Sequence, residues 1–275
     1  MKEINFTKMQ GLGNDFVMLD DREEIYNNES EIALKLCHRN FGIGADGVIF
    51  IRKSENAHIR MVIYNADGSH ASMCGNGIRC FAKYVWDKKI VRENPLIIET
   101  DDGIKKANLF VEDGKVHEVE INMGTWSFDP KNVPLASNEE VLNKKISVEG
   151  KEYNISSLHM GVPHTVIYTN LKDINIEEGK KIEYFNLFPK KTNVNFCEKV
   201  SSSCINVKTW ERGAGATLAC GTGSCASVVV GNKLGLLYKS VQVNVPGGTM
   251  YITIEEETVF MKGPAKITFE GIIVL

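Results

Sequence analysis

A short cysteine–glycine box occurs twice in this chain, about half the chain length apart. The sequence reads Cys-Gly-Asn-Gly at 74–77 and Cys-Gly-Thr-Gly at 220–223. Each box opens an apolar stretch of helical pattern, over roughly 76–88 and roughly 222–235. Self-similarity on this scale predicts two halves of like construction.

The segments that follow the two helices match as well. LIIETDDG (96–103) corresponds to VQVNVPGG (241–248), and EINMG (120–124) corresponds to VFMKGPA (259–265). The rest of the chain is mainly short β-branched runs bounded by polar residues, which predict strands. One further helix is expected over 30–40, with Asn28 or Ser30 as its N-cap.

Many strands with few helices between them favour an α+β fold over a doubly wound parallel sheet. Each half is expected to form a curved, mostly antiparallel or mixed sheet wrapped around one central apolar helix. The boundary is expected near 122–135, where NMGTWSFDPKNVP loses the strand pattern and gains proline and glycine. The first domain, 1–122, then carries Cys74, and the second, 123–265, carries Cys220.

Composition excludes several classes of function. A chain of 275 residues is long enough for two compact units. A net charge of −3 and a pI of about 6.1 do not indicate the basic surface that binds nucleic acid, so nucleic acid is not an expected partner. No apolar run approaches the ~18 residues that span a bilayer, so no membrane association is expected. The first ten residues hold no apolar signal core, so a cytoplasmic location is expected.

Cysteine usage excludes a disulfide framework and a zinc site. An odd number of cysteines without an export signal argues against paired disulfides. The Cys74–Cys80 and Cys220–Cys225 spacings, each broken by a glycine turn, do not fit structural zinc, so no metal is expected. The seven cysteines are Cys37, Cys74, Cys80, Cys197, Cys204, Cys220 and Cys225. Five are interpreted as small buried apolar residues, which leaves Cys74 and Cys220 for chemistry.

A cysteine that directly precedes a helix lies in the positive end of the helix dipole. The pKa of such a thiol is expected to fall below about 8.5, and glycine N–H groups can hold a carboxylate beside it. Two such thiols on opposite faces of one carbon acid can remove a proton and return it from the other side, without any cofactor. One box alone would favour an inert helix cap, whereas the pair favours this two-base chemistry.

At these boxes the sequence resembles the diaminopimelate epimerase family, over essentially the whole chain. The resemblance depends on KMQGLGNDFV (8–17), GIGADGV (42–48), YNADGSHASMCGNGIRC (64–80), MGVPHTVI (160–167), TNVNF (192–196), WERGAGATLACGTGSCA (210–226) and MKGPA (261–265). It implies two pseudo-symmetric domains with the active site in the cleft between them. It also implies a homodimer, a C-terminal strand (266–275) that returns to the first domain, and interconversion of LL- and meso-diaminopimelate.

The resemblance also assigns roles to individual residues. Cys74 and Cys220 match the two catalytic cysteines, one acting as base and the other as acid. His164 and Glu211 match residues that tune the protonation of the cysteines. The positions matched to substrate binding are Asn14, Asn65, Gly75, Asn76, Asn193, Glu211, Arg212, Gly221 and Thr222.

Two departures from the family pattern keep alternatives open. Val162 stands where the family usually carries an asparagine that helps to hold the distal end of the substrate, and Phe269 stands where many members carry a tyrosine that supports the dimer. Val162 leaves open a racemase of another amino acid, such as histidine. A non-catalytic amino-acid binding protein is a further alternative. A thiol hydrolase would leave the second box unexplained.

Overall fold

The computed structural model describes residues 3–274 and divides the chain into two compact units. One unit runs to Asn122 and takes in the chain again from Lys262, and the other covers Met123–Met261. Strands outnumber helices in both units, as expected for an α+β fold. None of the helices within residues 3–274 is long and apolar enough to cross a membrane.

The first unit holds eight strands in sequence, two helices and the last strand of the chain. Its elements are β1 (Glu3–Gly11), β2 (Asn14–Asp20), α1 (Glu29–Cys37), β3 (Gly47–Arg52), β4 (Ile59–Asn65), β5 (His70–Ala71), α2 (Gly75–Asp87), β6 (Leu96–Thr100), β7 (Gly103–Glu112), β8 (Lys115–Asn122) and β18 (Lys266–Val274).

The second unit follows the same order. Its elements are β9 (Lys144–Val148), β10 (Lys151–Met160), β11 (Val162–Tyr168), α3 (Glu178–Glu183), β12 (Asn193–Ser201), β13 (Cys204–Glu211), β14 (Gly215–Thr217), α4 (Gly221–Lys233), β15 (Ser240–Val245) and β16 (Gly248–Glu255). The chain then crosses from the second unit to the first along β17 (Thr258–Pro264).

Strand pairing shows that the two units repeat one topology. In the first, β1–β2 is antiparallel, β2–β3 parallel, β3–β4 antiparallel and β4–β6 parallel. The second unit repeats this series as β10–β11, β11–β12, β12–β13 and β13–β15. Strand β9 pairs with β10 in the way that β18 pairs with β1. The duplication inferred from the two cysteine boxes therefore extends to the sheets.

The long helix of each unit is buried against its own sheet. Helix α2 packs on β1, β2, β7 and β8, and α4 packs on β10, β11, β12 and β16. Every residue of α4 from Gly223 to Gly231 is buried, as its apolar composition predicts. Both helices begin within one residue of the predicted position.

Helix α1 ends earlier than the predicted range of 30–40, at Cys37. The chain turns back on the helix end, where the N–H groups of Ile43 and Gly44 both donate to the Leu36 carbonyl at 2.9 Å. A β-carbon at Gly42 would collide with the Lys35 carbonyl, so glycine permits this close return. The turn occupies the carbonyl groups that a longer helix would use.

Candidate active site

Cys74 is the N-cap of α2. Its backbone is extended (φ −141°, ψ 122°), and its sulfur accepts a hydrogen bond from the N–H of Gly77 at 3.5 Å. Gly75 and Asn76 form the first turn of the helix, where backbone N–H groups have no intrahelical partner. Residues 74–77, here called the Cys74 cap, therefore combine a thiol with an anion-binding helix start.

Cys220 is the N-cap of α4 in the same geometry. Its backbone is extended (φ −112°, ψ 113°), and its sulfur accepts from the N–H of Gly223 at 3.4 Å. The Thr222 hydroxyl lies 3.6 Å from the sulfur. Residues 220–223 are here called the Cys220 cap. The repeated topology thus carries the same thiol cap in each unit.

An amide network surrounds the sulfur of Cys74. The thiol donates to Asn14 Oδ1 at 3.5 Å, and Asn76 Nδ2 donates to the same oxygen at 3.3 Å. Asn14 Nδ2 in turn donates to Asp46 Oδ2 at 2.7 Å. Asn65 ends β4, is exposed, and donates to Ser69 Oγ at 3.0 Å. Three of the predicted residues of this unit, Asn14, Cys74 and Asn76, are therefore in direct contact.

Arg79 is a supporting residue that sequence reasoning missed. Its side chain is fully buried and donates to Asn76 Oδ1 at 2.9 Å and to the Gly75 carbonyl at 3.1 Å. A buried guanidinium that holds the first turn of α2 fixes the orientation of the Asn76 amide. The available signal was a basic residue, followed one turn later by Lys83, within a stretch whose helical pattern predicts burial.

A cluster of charged side chains supports the Asn14 amide through Asp46. Arg39 contacts Asp46 at 2.7 Å and Asp15 at 3.1 Å, and Lys8 contacts Asp15 at 2.8 Å. Burial acts to raise the pKa of Asp15, but hydrogen bonds from Arg39 and Lys8 outweigh it, so the pKa falls below its ordinary value. The Asp15 carboxylate is therefore ionised near neutral pH, and the neighbouring Asp46 accepts from Asn14.

In the second unit, Glu211 lies beside the Cys220 cap. Its carboxylate accepts from the Thr217 hydroxyl at 2.7 Å and interacts with the Cys220 thiol. Burial raises the pKa of Cys220 well above its ordinary value, and the charge of Glu211 raises it further. Hydrogen bonds from Thr222 and Gly223 lower it by less. The expectation that the pKa of this thiol falls below about 8.5 is therefore wrong for Cys220.

Arg212 and Asn193 are joined through the backbone. The N–H of Arg212 donates to Asn193 Oδ1 at 2.9 Å, and Asn193 Nδ2 donates to the Pro163 carbonyl at 2.9 Å. The Arg212 side chain is exposed and donates to the Lys190 carbonyl at 3.0 Å. A guanidinium so placed can still turn to bind a carboxylate bidentately.

His164 is fully buried on β11, next to Asn193 in the register of β11 and β12. Burial, with smaller contributions from His159 and Arg212, lowers the pKa of His164 to about 3. The ring is therefore neutral across the physiological range. A neutral imidazole at this position can donate or accept a hydrogen bond but carries no charge.

Solved structures define the class of fold. A crystal structure of a phenazine biosynthesis protein of the PhzF family from Bacillus anthracis matches the full length of both chains with a TM-score of 0.73 at 17% identity. A probable proline racemase from Agrobacterium radiobacter matches 99% of this chain and 92% of that one, with a TM-score of 0.72 at 14% identity. The chain thus has the two-domain fold of this class.

Sequence comparison narrows the class to one family. Residues 6–128 and 156–268 match the family model described as diaminopimelate epimerase. A diaminopimelate epimerase from Clostridium perfringens is 52% identical over 269 residues, which cover 98% of each chain. The chain belongs to the diaminopimelate epimerase family and is an isomerase of the epimerase type.

Proposed function

We propose that the protein interconverts LL- and meso-diaminopimelate without a cofactor, with Cys74 and Cys220 as the two proton-transfer groups. The observation that carries this proposal is the repeated cap: each unit presents one cysteine sulfur at the start of its buried helix. A stereocentre is inverted when one thiolate removes the α-proton and a thiol on the opposite face donates another.

One sulfur takes a proton from the substrate and the other sulfur gives one back, so the number of protons on the substrate does not change. In one direction, the Cys74 thiolate takes the α-proton, and the electron pair of the broken C–H bond moves into the α-carboxylate. The Cys220 thiol then gives its proton to the opposite face of the carbon. The raised pKa of Cys220 supports this direction, because it keeps that sulfur protonated at neutral pH. The reverse direction exchanges the two roles.

The two helix starts supply the electrostatic part of the reaction. Backbone N–H groups at Gly75, Asn76, Gly221 and Thr222 lie at the positive ends of α2 and α4. We assign them to the carboxylate at the reacting carbon, whose negative charge grows in the transition state. These donors are fixed by the helices before the substrate binds.

The distal end of the substrate is assigned to polar residues at strand ends. Asn14 begins β2, Asn65 ends β4, Asn193 begins β12 and Glu211 ends β13. Together with Arg212 they offer donors for a distal carboxylate and acceptors for an ammonium group. A substrate with charge at both ends uses all of these groups, which favours diaminopimelate over an apolar amino acid.

Proton exchange in deuterated solvent tests the reaction. The protein is expected to convert LL-diaminopimelate to the meso form with one α-deuterium in the product. Cys74→Ala and Cys220→Ala should each lower turnover by about 10²–10⁴-fold, the usual contribution of general acid–base groups. Cys80→Ala and Cys225→Ala, in the same two helices, are the matched controls. Full turnover by either cap variant would rule out the two-thiol mechanism.

Measuring both α-proton exchange and binding over a panel of amino acids separates the proposal from its alternatives. A clear preference for histidine or another monocarboxylate would overturn the choice of substrate. Binding of diaminopimelate without any α-proton exchange would indicate a binding protein instead. Exchange and binding measured on the same panel therefore distinguish the three outcomes.

We further propose that the protein is a cytoplasmic homodimer. All seven cysteines are free, which fits a reducing compartment. Strand β18 supports a dimer because four of its apolar side chains are 37–61% exposed, at Ile267, Phe269, Ile272 and Val274. An exposed apolar strand of this kind is typical of a surface covered by another chain.

A further inference from the structure

The Cys74 cap and the Cys220 cap have the same backbone geometry, but the buried strand residues behind them differ. Strand register defines the equivalent positions. Phe16 pairs with Gly47, the first residue of β3, and His164 pairs with Asn193, the first residue of β12. Two residues further along, Ile49 pairs with Ile63 on β4, and Asn195 pairs with Thr209 on β13. All six side chains at these equivalent positions are buried: Phe16, Ile49 and Ile63 in the first unit, His164, Asn195 and Thr209 in the second.

The last glycine of each cap, Gly77 in the first unit and Gly223 in the second, lies against the buried residues of its own unit. A β-carbon at Gly77 would lie 3.1 Å from Ile49 Cδ1, and one at Gly223 would collide with Asn195 Oδ1. In the first unit the cap thus rests on an apolar cluster, while in the second it rests on a polar triad of His164, Asn195 and Thr209. Because the same topology folds around apolar residues, the architecture does not require the triad. Burying polar groups costs free energy, so the triad needs another explanation.

Hydrogen bonds within the triad determine the tautomer of His164. Asn195 Nδ2 lies 3.3 Å from the Thr165 carbonyl, which can only accept, so this atom is the amide nitrogen. The same Nδ2 lies 3.2 Å from His164 Nδ1, so Nδ1 must accept as well. The Thr209 hydroxyl donates to Asn195 Oδ1 at 3.0 Å. The single ring proton of the neutral imidazole therefore resides on Nε2.

His164 Nε2 is a buried atom without a hydrogen-bond partner among the described residues. Such a donor destabilises the folded state if nothing ever pairs with it. Building on the proposed function, we infer that Asn195 is a positioning residue that holds His164 as the Nε2–H tautomer. The ring then offers Nε2–H as a buried neutral donor for the negative charge that develops during proton transfer.

Nitrogen NMR of protein labelled at its histidines tests the tautomer directly, without reference to activity. His164→Phe assigns the signal. Wild-type His164 is expected to be neutral and protonated at Nε2 near neutral pH. Asn195→Asp replaces the amide donor with an acceptor and should move the ring proton to Nδ1. Thr209→Val, which leaves the Asn195 amide facing Thr165, should keep the wild-type pattern. An Nδ1–H or doubly protonated ring in the wild type would overturn the assignment.

A transplant of the first unit's residues tests whether the triad serves function. The triple variant His164→Phe, Asn195→Ile, Thr209→Ile carries the apolar set found beneath the Cys74 cap. It is expected to unfold at no lower temperature than the wild type and to lose on the order of 100-fold in kcat, the scale of removing one preorganised hydrogen-bond donor. A variant that unfolds earlier yet turns over normally would overturn the inference, since it would show a purely structural triad. Absence of epimerisation by the wild type would reject the proposed function and leave the tautomer result intact.

Discussion

At the scale of single residues, tertiary surroundings decide the chemistry of the site. Cys220 has a helix start beside it, yet burial and the Glu211 carboxylate raise the pKa of its thiol. A helix end contributes about half a unit charge, whereas a nearby carboxylate carries a full one and desolvation adds to it. The local helix effect is therefore the smaller one here.

The buried His164 makes stability depend on pH. Its pKa is about 3 in the folded chain against 6.5 when unfolded, so below pH 6.5 the unfolded state binds the additional proton. The free energy of unfolding should fall by about 1.4 kcal/mol per pH unit as the pH drops from 6.5 towards 3. Denaturant titrations of the wild type and His164→Phe measure the difference. Equal slopes in the two proteins would contradict the assignment.

Val162 is the departure from the family pattern that bears on substrate choice. It begins β11 as Asn14 begins β2, so it replaces, in the second unit, the amide that contacts the cysteine in the first. Val162→Asn should change KM for diaminopimelate by about tenfold or less, since one hydrogen bond contributes about 0.5–1.5 kcal/mol. Steady-state kinetics on diaminopimelate and histidine check this. A gain of diaminopimelate turnover far beyond tenfold would indicate that Val162 selects another substrate.

At the scale of elements, the two helix starts are alike in backbone and different in support. Both caps use a cysteine whose sulfur accepts from the third N–H of the helix. Helix α2 is held by the buried Arg79, while α4 rests against Asn195. These supports come from side chains that the cap motif itself does not contain.

The glycines at the two caps are expected to differ in tolerance. Gly223→Ala should destabilise by about 1–3 kcal/mol, because the methyl group would displace the buried Asn195 amide. Gly77→Ala faces the end of the Ile49 side chain and gains helix propensity, so its cost should be smaller. Urea denaturation of both variants compares them. A larger loss in Gly77→Ala would contradict this view of the second cap.

At the scale of the whole molecule, one chain holds two copies of a sheet-and-helix unit and an exposed terminal strand. Phe269 on β18 is 47% exposed and packs edge-on against Phe6, with the ring centroids 5.9 Å apart. A large apolar side chain held in this way offers a ready contact for a second chain.

The dimer prediction can be tested at Phe269. Phe269→Glu should convert a dimer to monomers, because a carboxylate would be buried without a partner at the interface. Light scattering after size exclusion measures the mass. Val200→Glu, which changes another exposed apolar residue (58%), is the control and should leave the mass unchanged. A dimer that survives Phe269→Glu would exclude β18 as its centre.

Local pattern was sufficient for many of the strands and for the starts of the two long helices. Alternation of apolar residues predicted strands, and the cysteine–glycine boxes predicted both helix starts to within one residue, since caps and periodicity act between near neighbours in sequence. The end of α1 was missed because it depends on a loop that returns from Gly42.

The duplicated architecture and the positions of the two thiols follow from the sequence alone. How Cys220 titrates, and which groups around it donate hydrogen bonds, depends on the tertiary structure. Arg79, Asn195 and Glu211 reach the caps from other elements or from deeper in a helix. Desolvation and charge act through space rather than along the chain, so no local motif could have predicted the pKa of Cys220 or the tautomer of His164.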